Sequence, residues 1–429
     1  MSLSVETQPS YSPTPQAVLT RKVETDPQHM DVQRLRPKII SLQEYKEITG
    51  SAPLIPLASV LHNEYVRQRD LEIKKGRYIP GELLPVDLDE PQLRQLFIDQ
   101  GRKNISHEVK NVRGEIVEEG TPIDWYNPTQ PFDDKGDRIM AVRLEPRNSE
   151  LSLVGFIKEN PQTGKYTFDH TRPIIDMAQD PSVTLDNKGN PVLGVVRINA
   201  NKDGKITNYY TEQFRGPDVR NLRFFQTIPG KDNRPIQLDD RVRAFYRPQG
   251  EVGGAGKFAL RDYPDWESYK NDVNLNPLTK ADLLTTNFQD TNHGGPNFPL
   301  PDGQIYGHIA EKEYDTNGNV IKLHYYDIWM LTDLATGQLL WQEDPVTSVL
   351  KPLIKVIADR SDFPKSEKTP SKNLKIPQLT DDVSFTGGIE KLPDGTVRKT
   401  NGISDFRIGR KIIRDPMLDI NLSYLRLVA

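Results

Sequence analysis

No cysteine occurs anywhere in the 429 residues, so disulfides, thiolate metal sites and a cysteine nucleophile are excluded. A reducing compartment is the natural setting for such a chain. A basic excess is missing too: 56 Lys and Arg face 60 Asp and Glu, a net charge of −4, without the footprint of a nucleic-acid binder. No stretch approaches the roughly 20 apolar residues of a membrane span, and the first thirty residues lack a signal-peptide run. These absences predict a cytoplasmic protein with neither nucleic-acid nor membrane partners. Hydrophobic residues are scarce at 35%, whereas Pro (34) and Gly (29) are plentiful, which suits short strands joined by many turns.

Along the chain, residues 1–30 are rich in Ser, Thr, Pro and Gln and are expected to be disordered, having too little apolar surface to offset the entropy of ordering. Residues 31–119 read as a partly helical extension. Its best helices are Ala58 to Lys75, ending before Gly76, and Asp89 to Gln100, with Asp89 as N-cap, Pro91 in the first turn and Leu93, Leu96 and Phe97 on one face. From residue 120 to 429 the period changes. Short β-branched and aromatic runs alternate with tight turns such as Asn187-Lys188-Gly189, Asp203-Gly204, Asp302-Gly303, Asn317-Gly318 and Asp394-Gly395. Helical patterns between the strands are missing, which argues against a doubly wound sheet. The expected class is all-β, a propeller of four-stranded blades, with two stacked β domains as the fallback.

Several tempting motifs carry nothing. Asn199 to Gly204 imitates a calcium loop, but Tyr210 stands where the bidentate Glu belongs. Gly253 to Lys257 lacks the spacer and the Ser/Thr of a phosphate loop. The seven His residues show no metal-ligand spacing, so neither metal nor cofactor is expected. More informative are polar residues at strand starts and ends: Trp125 to Phe132, Val142 to Glu150, Gln179 to Val183, Tyr246 to Gly250, Gly307 to Glu311 and Thr380 to Gly388. Each alone is more often a turn or cap. Recurring about once per expected blade, they would line one funnel.

On Tyr126-Asn127-Pro128, Arg143-Leu-Glu145-Pro-Arg147, Gln179-Asp180-Pro181, Tyr246-Arg247-Pro248, Gly307-His308 and Asp382 to Gly388, the chain from Pro122 to Pro416 resembles an uncharacterised microbial, glycosidase-related family. That family is distantly similar to the five-bladed β-propeller glycoside hydrolases and mannoside phosphorylases. The resemblance implies five blades and a carbohydrate-active enzyme working on an oligosaccharide or glycoside by hydrolysis or by phosphorolysis with inorganic phosphate. It implies that Gln179-Asp180-Pro181 is the second-blade motif with Gln in place of Arg, whereas Arg414-Asp415-Pro416 lies too late in the chain. Asp124 and Glu145 compete for the first-blade acid, and Asp218, Asp240 and Asp382 for the later one.

The catalytic set is accordingly expected to be Asp180, Glu145 and Asp382, pointing into one funnel. Asp124, Tyr126, Asn127, Arg143, Arg147, Arg247 and His308 are expected to bind substrate. Arginines can hold a carboxylate ionised or grip phosphate bidentately, and Trp125, Tyr126 and Tyr246 could stack on sugar rings. The bland alternative is that such pairs only tie blades together. A non-catalytic glycan-binding propeller and a protein-interaction scaffold are the rival functions.

Overall fold

The computed structural model describes residues 39–50, 54–55, 58–103, 122–147, 152–200, 206–248, 250–253, 257–283, 287–288, 293–343, 349–365 and 382–420. The tail 1–30 and the Asp203-Gly204 turn lie outside them. Where the turns are described, Gly appears where the chain must reverse with positive φ, as at Gly303 (87°) and Gly395 (80°). These turns divide the chain into successive antiparallel meanders.

In the first, Ile123–Tyr126 (β1) and Phe132–Asp134 (β2) both pair with Asp137–Pro146 (β3), followed by Leu153–Glu159 (β4) and Tyr166–Phe168 (β5). The second runs Gln179–Leu185 (β6), Pro191–Ala200 (β7), Ile206–Arg215 (β8) and Arg223–Pro229 (β9). The third is Lys231–Gln237 (β10), Val242–Arg247 (β11) and Ala259–Tyr263 (β12). The fourth holds His293–Pro299 (β13), Gln304–Tyr314 (β14), Val320–Leu331 (β15) and Ile354–Ala358 (β16). Asp382–Lys391 (β17), Thr396–Ile403 (β18) and Arg407–Arg414 (β19) form the last, joined to the fourth by a short parallel pairing of β15 with β17.

Apolar cores lie between consecutive meanders. Ile139 and Phe156 pack with Val183 and Leu193, and Val192 and Ile228 pack with Val242 and Ala244. Ile236 and Phe245 meet Ile305 and Ile328, while Tyr306 and Trp329 meet Ile389 and Val397. Ile408 of β19 then joins Val142 and Leu144 of the first meander. Each such fully buried side chain contributes ~1.5–3 kcal/mol relative to exposure, so the seams between sheets, rather than any single sheet, hold the molecule together.

The N-terminal segments are laced into this β structure. Residues 82–83 pair with β19, 86–87 with β5, 39–40 with 341–343 and 54–55 with 287–288. The helix Ala58–Lys74 buries Ala58 and Leu61 against the third and fourth meanders. Its other anchor is polar: Asp359 accepts from His62 Nε2 at 2.8 Å and Arg69 Nη1 at 3.0 Å. Burial pushes Asp359 up, but His62, Ser361 and Arg69 outweigh it and bring its pKa down to about 2. The helix Glu90–Lys103 sets Leu93 and Phe97 on Met140 and Val142. A third helix, Leu42–Thr49, starts from a reciprocal Ser41–Glu44 capping box.

Candidate functional site

The opening strand of a meander carries a recurrent defect. Between Gln179 and Ser182 of β6, three steps oppose two on the partner strand, from Val196 to Gly194. The same extra residue lies between Lys231 and Arg234 of β10 and between Gly295 and Phe298 of β13. Such bulges re-aim side chains next to functional sites. Here they coincide with left-handed backbone at Asp180 (φ 44°) and Asp232 (φ 58°), an uncommon conformation for a residue with a Cβ. Because β6 packs beside both β3 and β10, the two carboxyls stand at the heads of neighbouring strands.

Strand alternation builds one wall. Arg143 and Glu145 share a face of β3, opposite Tyr126 and Asp124 of β1, and Arg147 follows just past the end of β3. Arg143 donates to Glu145 Oε2 through Nη2 (2.5 Å) and to Asp180 Oδ1 through Nη1 (3.1 Å). Asn127 Nδ2 donates to the same Asp180 oxygen at 2.7 Å. Glu145 is enclosed, accepting also from Ser152 Oγ and from Tyr126 Oη at 3.2 Å. Beside it Arg147 clasps Asp124 (2.8 and 3.1 Å), which also accepts from Arg407 Nη1 of β19 at 3.1 Å. Burial raises the Asp124 pKa despite both guanidinium groups.

The glycines of β17 and β18 make this wall possible. A Cβ on Gly387 would lie 1.8 Å from the Pro128 carbonyl oxygen, and one on Gly402 2.0 Å from Asn127 Oδ1. The Tyr126-Asn127-Pro128 loop therefore seats directly on bare backbone, which fixes the amide that holds Asp180.

The facing wall is cationic. Asp232 is buried and accepts from Arg247 Nη1 at 2.8 Å and Arg234 Nη2 at 3.3 Å. Burial pushes its pKa up, but Arg234, Arg247 and Lys231 outweigh that and hold it far below the usual carboxylate range. Lys231 opposes Arg247 across the β10–β11 pair, and its Nζ sits 4.8 Å over the Tyr209 ring. Among the described residues no carboxylate is in ion-pair contact with it. Burial, then Arg247, lowers its pKa, with Asp232 and Asp180 acting in the opposite sense. His308 is buried and stacked on Tyr325 at 4.9 Å, with Phe385 at 5.2 Å. The Tyr325 phenol is raised, chiefly by burial; Arg247 opposes the shift, while Asp405, Asp232 and Asp180 add to it. Two carboxylates thus lie among Arg143, Lys231, Arg234 and Arg247.

Comparison with protein families matches residues 104–419, which include every opening strand just described, to the family "Protein of unknown function (DUF1861)". The chain belongs to the DUF1861 family. Comparison with curated proteins gives no match. Among solved structures, a mannose phosphorylase from Leishmania mexicana in complex with phosphate ion is similar at 21% identity and TM-score 0.54, over 84% of this chain and 96% of that one. A GDP-Man-dependent mannosyltransferase from the same organism is similar at 19% and 0.53, over 81% and 94%. A hypothetical protein from Leishmania major follows at 20% and 0.51, over 82% and 95%. At these identities the likeness is one of fold.

For this DUF1861 chain, the residues singled out from sequence divide into groups. Asp180, Asn127, Arg143, Glu145 and Tyr126 form one network, and Arg247 joins Asp232 beside it. Asp124 and Arg147 make a neighbouring pair, with Arg147 4.3 Å over Phe406. Asp382, at the head of β17, lies 2.5 Å from His324 Nδ1 and 3.6 Å from Lys322 Nζ, and among the described residues neither of these is bonded to Asp180 or Glu145. Two aromatics are occupied: Trp125 is covered by Arg407 at 3.7 Å, and Tyr246 is a core residue bonded to Tyr263. Lys231, Asp232, Arg234 and Tyr325 were not anticipated. The signal for them was available, since Lys231-Asp232-Asn233 repeats the placement of Gln179-Asp180-Pro181 at the head of the next meander. No helix among the described residues is long and apolar enough to cross a membrane.

Proposed function

We propose that this protein is a carbohydrate-active enzyme that cleaves a glycosidic bond of an oligosaccharide or glycoside by phosphorolysis, in the central funnel of a five-bladed β-propeller. The carrying observation is Lys231, a cation with no carboxylate in ion-pair contact among the described residues, beside Arg143, Arg247 and Asp180. A half-buried ammonium beside two guanidinium groups invites an anion, and a phosphate dianion suits that setting through charge-assisted hydrogen bonds. The phosphate ion held by the mannose phosphorylase of like fold accords with this reading. The propeller is supported by the order of the cores, in which the last meander returns to the first.

In the proposed reaction a phosphate oxygen attacks the anomeric carbon while the bond to the leaving oxygen breaks. Asp180 gives that oxygen a proton, and the proton of the incoming hydrogen phosphate restores Asp180, so glycosyl phosphate and a free hydroxyl result. Asp232 stays ionised and holds Arg234 and Arg247 in place. Glu145 acts as a positioning residue for Arg143. Hydrolysis is the lesser reading, because it needs two working carboxyls flanking the bond. Glu145 and Asp232 are both enclosed by donors, whereas Asp180 keeps one oxygen unbonded among the described residues.

The test is a screen of disaccharides and aryl glycosides with and without inorganic phosphate, read by release of sugar phosphate. Turnover that requires phosphate and disappears in Asp180→Asn is expected. Release of free sugar at equal rates without phosphate would overturn phosphorolysis. Absence of both turnover and phosphate binding would overturn the site.

A further inference from the structure

The chain itself crosses every boundary between neighbouring meanders except one. β5 runs on to β6, β9 to β10, β12 to β13 and β16 to β17, but no peptide link carries β19 on to β1. Side chains do meet there: Arg407 donates to Asp124 at 3.1 Å and lies 3.7 Å over the Trp125 ring. Two sheets held by side chains alone part more readily than two that are tethered, because a tether keeps their effective concentration high.

Residues 78–97 supply a tether at this boundary. Glu82 and Leu83 oppose Arg410 and Gly409 of β19, and the Leu84 N–H donates to the Ile408 carbonyl at 2.8 Å. Arg410 grips Glu82 Oε1 through Nε at 2.8 Å and Nη2 at 2.6 Å. A few residues on, Val86 and Asp87 run parallel to Tyr166 and Thr167 of β5. One short stretch is thus the outermost strand of the last sheet and then of the first. Beneath it Leu84, Leu88, Leu93 and Phe97 fill the core to which β19 contributes Ile408 and the first meander Met140 and Val142. Their burial is lost if the stretch lifts away.

A single turn fastens the start of this stretch to β19. Asp362 is buried; its carboxylate accepts from Tyr78 Oη at 2.7 Å and pairs with Lys411 Nζ of β19 at 2.9 Å. Its carbonyl accepts from the Gly81 N–H at 2.7 Å. The Phe363 ring next to it fits against two bare backbones, since a Cβ on Gly81 would lie 2.5 Å from the ring and one on Gly409 2.8 Å. The DUF1861 match begins at residue 104, beyond all of these contacts.

We propose that residues 78–97 are a closing strap, which keeps the first and last meanders together from outside the family's own matched region. Release of the strap opens that boundary and no other, and with it the Arg407–Asp124 contact beside the candidate site.

The full-length chain carries its own reporters, because two of its four Trp residues lie at different boundaries. The Trp125 indole N–H is buried where Arg407 covers the ring, between the first and last meanders. The Trp329 indole N–H donates to Gln304 within the core between the fourth and the last. Gly81→Val drives the strap off Phe363 and should speed hydrogen exchange at Trp125 about tenfold or more, with Trp329 keeping its rate. Because the chain has no cysteine, Glu82→Cys with Arg410→Cys, on directly opposed residues, gives one defined disulfide. Oxidising that pair should slow Trp125 exchange about tenfold or more relative to the reduced form of the same protein, again sparing Trp329. The comparison of oxidised and reduced forms decides the matter if Gly81→Val does not fold. Unchanged Trp125 exchange on oxidation, or equal changes at Trp125 and Trp329, would overturn the proposal.

Discussion

The heads of β6 and β10 are the same backbone used twice, with different results. Asp180 and Asp232 each take the second place of an opening strand, each has left-handed φ, and each lies within a one-residue bulge. Asp232 is 2% exposed, with its two oxygens bonded to Arg234 and Arg247. Asp180 keeps 14% of its side chain accessible, and among the described residues only its Oδ1 is bonded, to Asn127 and Arg143. A repeated fold thus delivers carboxyls to one place, and their neighbours decide which is clasped on both oxygens and which stays partly accessible. One buried arginine more or less makes that difference, because it decides whether the second carboxylate oxygen is already clasped by a guanidinium.

The contrast can be broken most sharply at Asp180. Asp180→Asn should cut kcat by roughly 10²–10⁴-fold, the range for losing a general acid, and leave the thermal midpoint within about 2 °C. A large stability loss with full specific activity would make Asp180 the fastening. Asp232→Asn should do the reverse. It leaves buried guanidinium groups short of a charge partner and should lower stability by about 3–5 kcal/mol in urea unfolding. The sign with pH follows: a depressed carboxylate stabilises fully above its unfolded pKa, near the usual 3.8, and that stability is lost as pH falls through its lower folded value. The variant should therefore show a weaker acid dependence below about pH 4 than the natural protein.

Lys231 tests the cationic side. Lys231→Met removes a charge that has no ion-pair partner among the described residues, so phosphate affinity should fall about tenfold, some 1.4 kcal/mol, with stability unchanged or raised. Loss of folding instead would mean that Lys231 serves the fold. The smallest expected effect is in the alkaline limb. The Lys231 ammonium is held below its ordinary 10.5, first by burial and then by Arg247, so phosphate binding should weaken as pH rises through that lowered value. Lys231→Arg should move the limb upward, because guanidinium stays protonated. A limb that does not move would assign the titration to another group.

Much of this was readable in the chain. The alternation Arg143-Leu-Glu145 placed two polar groups on one strand face, and the Asp180 and Asn127 motifs marked strand ends that do meet. The Asp382 motif contributes to the structure through its other residues too. Gly387 of that segment makes room for the Asn127 loop, and Ser384 Oγ donates to Asp327 at 2.8 Å in a separate buried cluster. Asp382 itself is bonded to His324. Lys231 and Asp232 lie in none of the motifs on which the sequence reading rested.

Sequence by itself determined the local terms: no cysteine chemistry, strands bounded by Asp-Gly and Asn-Gly turns, capped helices near the start, and the face on which each polar residue falls. These follow from backbone angles and side-chain period, which act over a few residues. Only the tertiary structure decided which charges meet, because those meetings span the chain. Arg143 reaches Asp180 across 37 residues and Arg407 reaches Asp124 across 283. Such pairs are set by how successive sheets pack, through cores built from both neighbours, and no local preference encodes that geometry. The same packing enclosed Glu145 and Asp232 in donors and left Asp180 open.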